Sequence, residues 1–248
     1  MFTSKHFLNE NLGVDPEIAA FFVDRKVPAD NQYWKGRLLY VARGTGFLFI
    51  PLLADLMHKA GVDKALLLSE EQVGLMESIL DKAARYENGD MDFATHIQVI
   101  ASLVENRLHH PWLKTLLDAY FAQPVLEPMG ILGEDNPPLN RADALLYWFT
   151  AIPVSKETVE KLIGYWYALV PTFLLLDDLD DVKEDQASSD ENAIRKYGFD
   201  AAGVRRGIEV LEAKFRQVGQ LNPLLQRHLQ EILANNLRKP YYKHILNE

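Results

Sequence analysis

The 248-residue chain contains no cysteine. Disulfides, thiolate metal sites and thiol catalysis are therefore excluded. It has no long basic block, and its formal net charge is −9 at pH 7. The positive footprint of a nucleic-acid binder is missing, so no nucleic-acid partner is expected. No run has the composition of a transmembrane segment. Gly46 to Leu53 is too short, and Leu162 to Leu176 carries Pro171 and ends in acids, whereas a spanning helix needs ~20 apolar residues. Met1 to Asn9 lacks the basic-then-apolar order of a secretory signal, and a cytoplasmic location is expected. There is no Gly-x-Ser-x-Gly elbow, Walker loop or dinucleotide fingerprint, and Gly44-Thr45-Gly46 is too short to count. No stretch alternates with period two, no Asn-Gly or Asp-Gly turn separates β-rich runs, and no internal repeat is visible.

What is present is a folding composition, 48% hydrophobic and 25% charged, in a chain long enough for a sizeable core. Helical periodicity dominates. Val204, Ile208, Leu211, Phe215 and Val218 recur at helical spacing, as do Leu225, Leu229 and Ile232, and Met76, Ile79 and Ala83. Ser69-Glu70-Glu71-Gln72 and Ser188-Ser189-Asp190-Glu191 have the capping-box form. Ser155 and Asp200 suit N-caps, Pro111 and Pro223 first turns, and Gly61 and Gly198 helix ends. The expectation is an all-α fold of about eight to ten helices, forming a single helical domain over 1–248. One long connection, Gln123 to Asn140, carries Pro124, Pro128, Gly130, Gly133, Pro137 and Pro138.

The chemically pointed feature is Asp177-Asp178-Leu179-Asp180-Asp181. It follows Tyr165 to Leu176, which is apolar nearly all round and must be surrounded by other helices. Pro171 is expected to kink that helix. On a continuing helix Asp177, Asp178 and Asp181 project within roughly a 100° arc. Aspartate is a mediocre helix former, like charges at this spacing repel, and a helix C-terminus disfavours acids. Divalent cations offset all three costs. Magnesium takes hard oxygen ligands, one or two carboxylates at a time, and completes its shell with water and phosphate. Carboxylates at the mouth of an apolar, helix-lined cavity therefore suit a metal–diphosphate site. Trp148, Phe149, Trp166 and Tyr167 are expected in the core, and His109 and His110 in surface or capping roles.

Leu162 to Asp181 resembles the second aspartate-rich region of the trans-isoprenyl diphosphate synthase (polyprenyl synthetase) family. In that family an apolar helix leads through a phenylalanine–glutamine pair into Asp-Asp-x-x-Asp. Phe173 stands where the family's phenylalanine does, and Asp177, Asp178 and Asp181 match its aspartates. Arg141 to Leu146 resembles the lysine-led helix before the motif, and the segments after Gly198 suit the family's final third. The resemblance covers roughly residues 140–248. It implies an isoprenoid-synthase-like helical bundle around a central apolar cavity. It also implies Mg2+ held by Asp177, Asp178 and Asp181, a prenyl diphosphate ligand, and a homodimer. Arg141, Lys183 and Arg195 become candidate phosphate contacts, and Phe173 a candidate hydrocarbon contact. The chain departs from the family in several places. Leu174 replaces the glutamine, no glycine–lysine element follows the motif, and residues 1–140 hold no first Asp-Asp-x-x-Asp. Lys35-Gly36-Arg37 resembles the substrate-binding Gly-Lys-Arg element. The implied activity is Mg-dependent prenyl transfer. The alternative is a pseudoenzyme or interaction subunit that retains the fold. A class I terpene cyclase ranks lower, because the sequence after Asp181 lacks that family's downstream Asn/Ser/Glu motif.

Overall fold

Each helix starts where a side chain can take up the amide groups that its first turn leaves unpaired. The computed structural model describes residues 3–26, 28, 29, 31, 40, 48–188 and 191–246. Lys35-Gly36-Arg37, Gly44-Thr45-Gly46 and the Ser189-Asp190 half of the second capping box lie outside the described residues.

After a π-turn at Phe7–Asn11, α1 (Pro16–Asp24) is capped by Asp15, whose carboxylate accepts from the amides of Glu17 and Ile18. Then come α2 (Phe49–Lys59), α3 (Lys64–Leu67) and α4 (Glu70–Glu87). Ser69 caps α4 by accepting from the Gln72 amide. Asp92 caps α5 (Phe93–Val104), and α6 (Pro111–Phe121) opens on its proline. A buried 3-10 helix, Asp143–Ala151, precedes the long α7 (Lys156–Asp180), capped by Ser155. Short α8 (Val182–Ser188) and α9 (Ile194–Tyr197) lead to α10 (Ala201–Gly219), capped by Asp200. Asn222 caps α11 (Pro223–Leu237), and α12 (Pro240–Leu246) follows. Among the described residues there is no strand, only an isolated bridge between Met129 and Leu132, so the fold is all-α. Gly61 and Gly198 end helices at φ +105°, a conformation glycine adopts without steric cost.

α7 packs against α2, α10 and α11, while α4, α5 and the 3-10 helix form a neighbouring group. Trp148, Phe149 and Trp166 are buried as expected. His110 is buried at the start of α6, where its Nε2 bonds the Ile152 carbonyl oxygen at 2.9 Å. By length and composition α7 alone among the described helices passes for a membrane span, yet 67% of its apolar window is buried by the rest of the protein. Pro171 sits inside an unbroken α7. Its missing N–H leaves the Tyr167 carbonyl without its helical donor, and the Lys214 ammonium on α10 donates to that oxygen at 2.8 Å.

Candidate functional site

The last two turns of α7 bring Phe173, Leu174 and Asp177 to the wall of a cavity of about 600 Å³. α4 supplies Ile79, Leu80, Ala83, Tyr86 and Glu87 to the opposite wall, and α5 adds His96. Arg141, Ala144 and Leu145 close the side toward the 3-10 helix, and Glu191 completes the rim. The lining is therefore apolar along most of its length. Its charged groups are Glu87, Arg141, Asp177 and Glu191.

The aspartates take different positions. Asp177 is exposed at the cavity wall. Its carboxyl is pushed above the usual carboxylate range by withdrawal from water, then by the charges of Asp178, Asp180 and Asp185, with Arg141 pulling the other way. Asp181 caps the end of α7, its amide donating to the Asp177 carbonyl oxygen. Its carboxyl is raised by burial and then by Asp177, Asp180, Glu184 and Asp185. Asp178 turns inward and is 4% exposed. Its Oδ1 accepts from Arg141 Nη2 at 3.2 Å and its Oδ2 from the Ala193 amide at 2.8 Å. Asn192 Nδ2 donates to the Asp178 carbonyl oxygen and to Asp185 Oδ2, both at 2.7 Å. Asp178 thus fixes the Arg141 guanidinium and ties α7 to the turn before α9. Asp180 pairs with Lys239 at 2.5 Å.

Among the described residues no group of three or more His, Cys, Asp or Glu side chains is preformed around a metal position. The donor set nevertheless fits a hydrated magnesium ion. Asp177 and Asp181 stand four residues apart at the end of α7, and neither carboxylate has a hydrogen bond or ion pair among the described residues. Both are raised by burial first and then by the neighbouring carboxylates, a repulsion that a bound cation would relieve.

Of the other candidates, Arg141 and Phe173 share the cavity with Asp177. Arg195 lines a separate hollow of about 490 Å³ with Asn136, Pro138 and Lys196, and Glu191 borders both hollows. Lys183 is exposed on α8 and is not part of the cavity lining.

Three residues that sequence reasoning missed line the cavity: Glu87, His96 and Glu191. Glu87 closes α4 at the rim, its carboxyl raised by burial and lowered by Arg141. His96 had a legible signal, since it falls on the stripe that Ile100 and Val104 bury. Glu87 and Glu191 had none, because an acid at a helix end or in a loop is ordinary on any surface. Compared with family models, with curated proteins and with solved structures, the chain matches none.

Proposed function

We propose that the chain is a divergent isoprenyl diphosphate synthase-like protein that binds a prenyl diphosphate in this cavity. The hydrocarbon lies between α4 and α7 against Phe173, Leu80 and Leu145. The head group lies at the rim, with magnesium held by Asp177 and Asp181, and by Asp178 where it releases Arg141. The observation that carries the reading is that Phe173, Asp177 and Arg141 line one cavity that is otherwise mostly apolar. Arg141 meets the diphosphate oxygens with a guanidinium already oriented by Asp178. Bound magnesium supplies Lewis-acid stabilisation of the departing diphosphate. The apolar walls exclude water from the allylic carbon. The chemistry that follows is ionisation or transfer of the prenyl group. A second reading, a protein that keeps the fold without the chemistry, is favoured by the engagement of Asp178 with Arg141 and Ala193.

Thermal unfolding with Mg2+, with farnesyl diphosphate and with both tests the reading. A ligand that binds only the folded state stabilises it by about 2.7 kcal/mol at a hundredfold excess over its Kd. The expected outcome is a shift that needs both components and disappears in the Asp177→Ala/Asp178→Ala double variant. Asp177→Ala alone, which breaks no side-chain bond among the described residues, separates loss of the site from loss of the fold. An undiminished shift in the double variant sinks the proposal.

A further inference from the structure

The cavity between α4 and α7 is charged at one end, where Glu87, Arg141 and Asp177 stand. Both helices run toward that rim, because the lining residues of α4 end on Glu87 and those of α7 on Asp177. Among the described residues the deepest lining position of α7 is Val170, seven residues before Asp177, and that of α4 is Ile79, eight before Glu87. At about 1.5 Å of rise per helical residue, the walls are about 10 to 12 Å deep. Phe49, the first residue of α2, lies at the bottom: it lines the cavity and is partly exposed. Its ring stands edge-on to Trp166, with centroids 6.3 Å apart and planes at 81°. Trp166 comes one turn before Val170 on α7, is fully buried and is not part of the lining. Phe149 packs on Trp166 in turn, again at 6.3 Å. The floor is therefore a stack of rings with Phe49 on top.

We propose that the cavity accepts two isoprene units of a prenyl diphosphate in extended form, and that Phe49 is the residue that stops the third. The proposal rests on the prenyl diphosphate reading above and specifies the length of the hydrocarbon. An extended isoprene unit adds four carbon–carbon bonds along the chain, about 5 Å. With the diphosphate beside Asp177 and Arg141, two units span about 10 Å and three about 15 Å. The second unit then ends at the level of Val170 and Ile79, and the third meets the Phe49 ring. The first two units leave water for the walls formed by Leu80, Ala83, Phe173 and Leu174, and each adds affinity through the apolar surface it buries. The third has no room to lie extended and adds none. A farnesyl chain still binds through its head group and first two units, with the remainder folded back toward the rim. Phe49→Ala deletes a phenyl ring, which is close in size to one isoprene unit, and makes Trp166 the new floor.

The test measures, by calorimetry in the presence of Mg2+, the dissociation constants of the dimethylallyl, geranyl, farnesyl and geranylgeranyl thiolodiphosphates, which bind without reacting. In the wild type the geranyl compound should bind roughly a hundredfold more tightly than the dimethylallyl one. The two longer compounds should stay within about threefold of geranyl. In Phe49→Ala the farnesyl compound should become about tenfold tighter than the geranyl one. A wild-type affinity that rises by about tenfold again at farnesyl overturns the length limit, and so does a series in which length makes no difference. A Phe49→Ala protein that is folded by circular dichroism and keeps the wild-type order overturns the role of Phe49 and leaves the prenyl reading standing. No binding of any compound in the series removes the prenyl reading itself, and the length limit with it. Truncation to alanine also leaves a cavity that weakens the core, so Phe49→Leu is the second variant. It should move the order in the same direction by a smaller factor, and an unmoved order in the folded variant overturns the role of Phe49 as well.

Discussion

Asp143, two residues after Arg141, is a buried carboxyl on the 3-10 helix. It is 1% exposed. Trp166 Nε1 donates to its Oδ1 at 2.9 Å, and the hydroxyls of Tyr120 and Tyr167 donate to its Oδ2 at 2.9 and 2.8 Å. Burial pushes the carboxyl up to about 7, against the pull of those three bonds, and Glu134 adds to the rise. An aspartate in the unfolded chain titrates near ~3.9. The folded state therefore holds a proton that the unfolded state has lost between these values. The stability this group provides is complete below about pH 4 and is lost as pH rises through about 7. Urea unfolding at a series of pH values should show this decline, on the order of 4 kcal/mol at most. Asp143→Asn, which has no proton to lose, should flatten the slope. An identical slope in the variant rules out Asp143 as its source.

At the scale of the element, α7 depends on its neighbour. Pro171 removes the donor for the Tyr167 carbonyl, and Lys214 replaces it while also pairing with Glu134 at 2.6 Å. Lys214→Met leaves that carbonyl and the Glu134 carboxylate without the ammonium, and should cost about 2–4 kcal/mol. Pro171→Ala restores the helical N–H, so the lysine substitution should cost less in that background, by about 1 kcal/mol. A double-mutant cycle in urea measures the difference, and strictly additive losses exclude the replacement. The helix continues through Pro171, and the carbonyl freed there has Lys214 as its partner. Farther along α7 the same dependence decides the acids. Asp178 is drawn inward by Ala193 and Arg141, and Asp177 is left at the cavity.

At the scale of the whole molecule, one asparagine joins segments far apart in the chain. Asn222 caps α11 through the Leu225 amide. Its Nδ2 donates to the Leu12 carbonyl at 2.9 Å and to buried Asp55 of α2 at 3.0 Å. Asp55 also accepts from the Asp15 amide at 2.8 Å and from Lys59 at 2.5 Å. Asn222→Ala strands these partners and the cap. It should lower the unfolding free energy by roughly 2–4 kcal/mol in urea. Its site lies away from the cavity, so the magnesium-dependent thermal shift should survive. A vanished shift in a folded variant would make the joint part of the site.

The sequence by itself determined the all-α class, the helix starts at Ser69, Ser155 and Asp200, the first-turn prolines, and the acids at the end of the apolar helix. These are local matters: a cap is settled by residues three or four apart, and periodicity by one face of one helix. The tertiary structure decided which acid is free and which is engaged, because Arg141, Asn192 and Ala193 reach Asp178 from other segments. It also decided that Glu87, His96 and Glu191 share a cavity with Asp177. They come from α4, α5 and the loop before α9, and no spacing in the sequence encodes a wall assembled from separate elements. The cavity exists only where those elements pack, so its residues become legible only when the chain is folded.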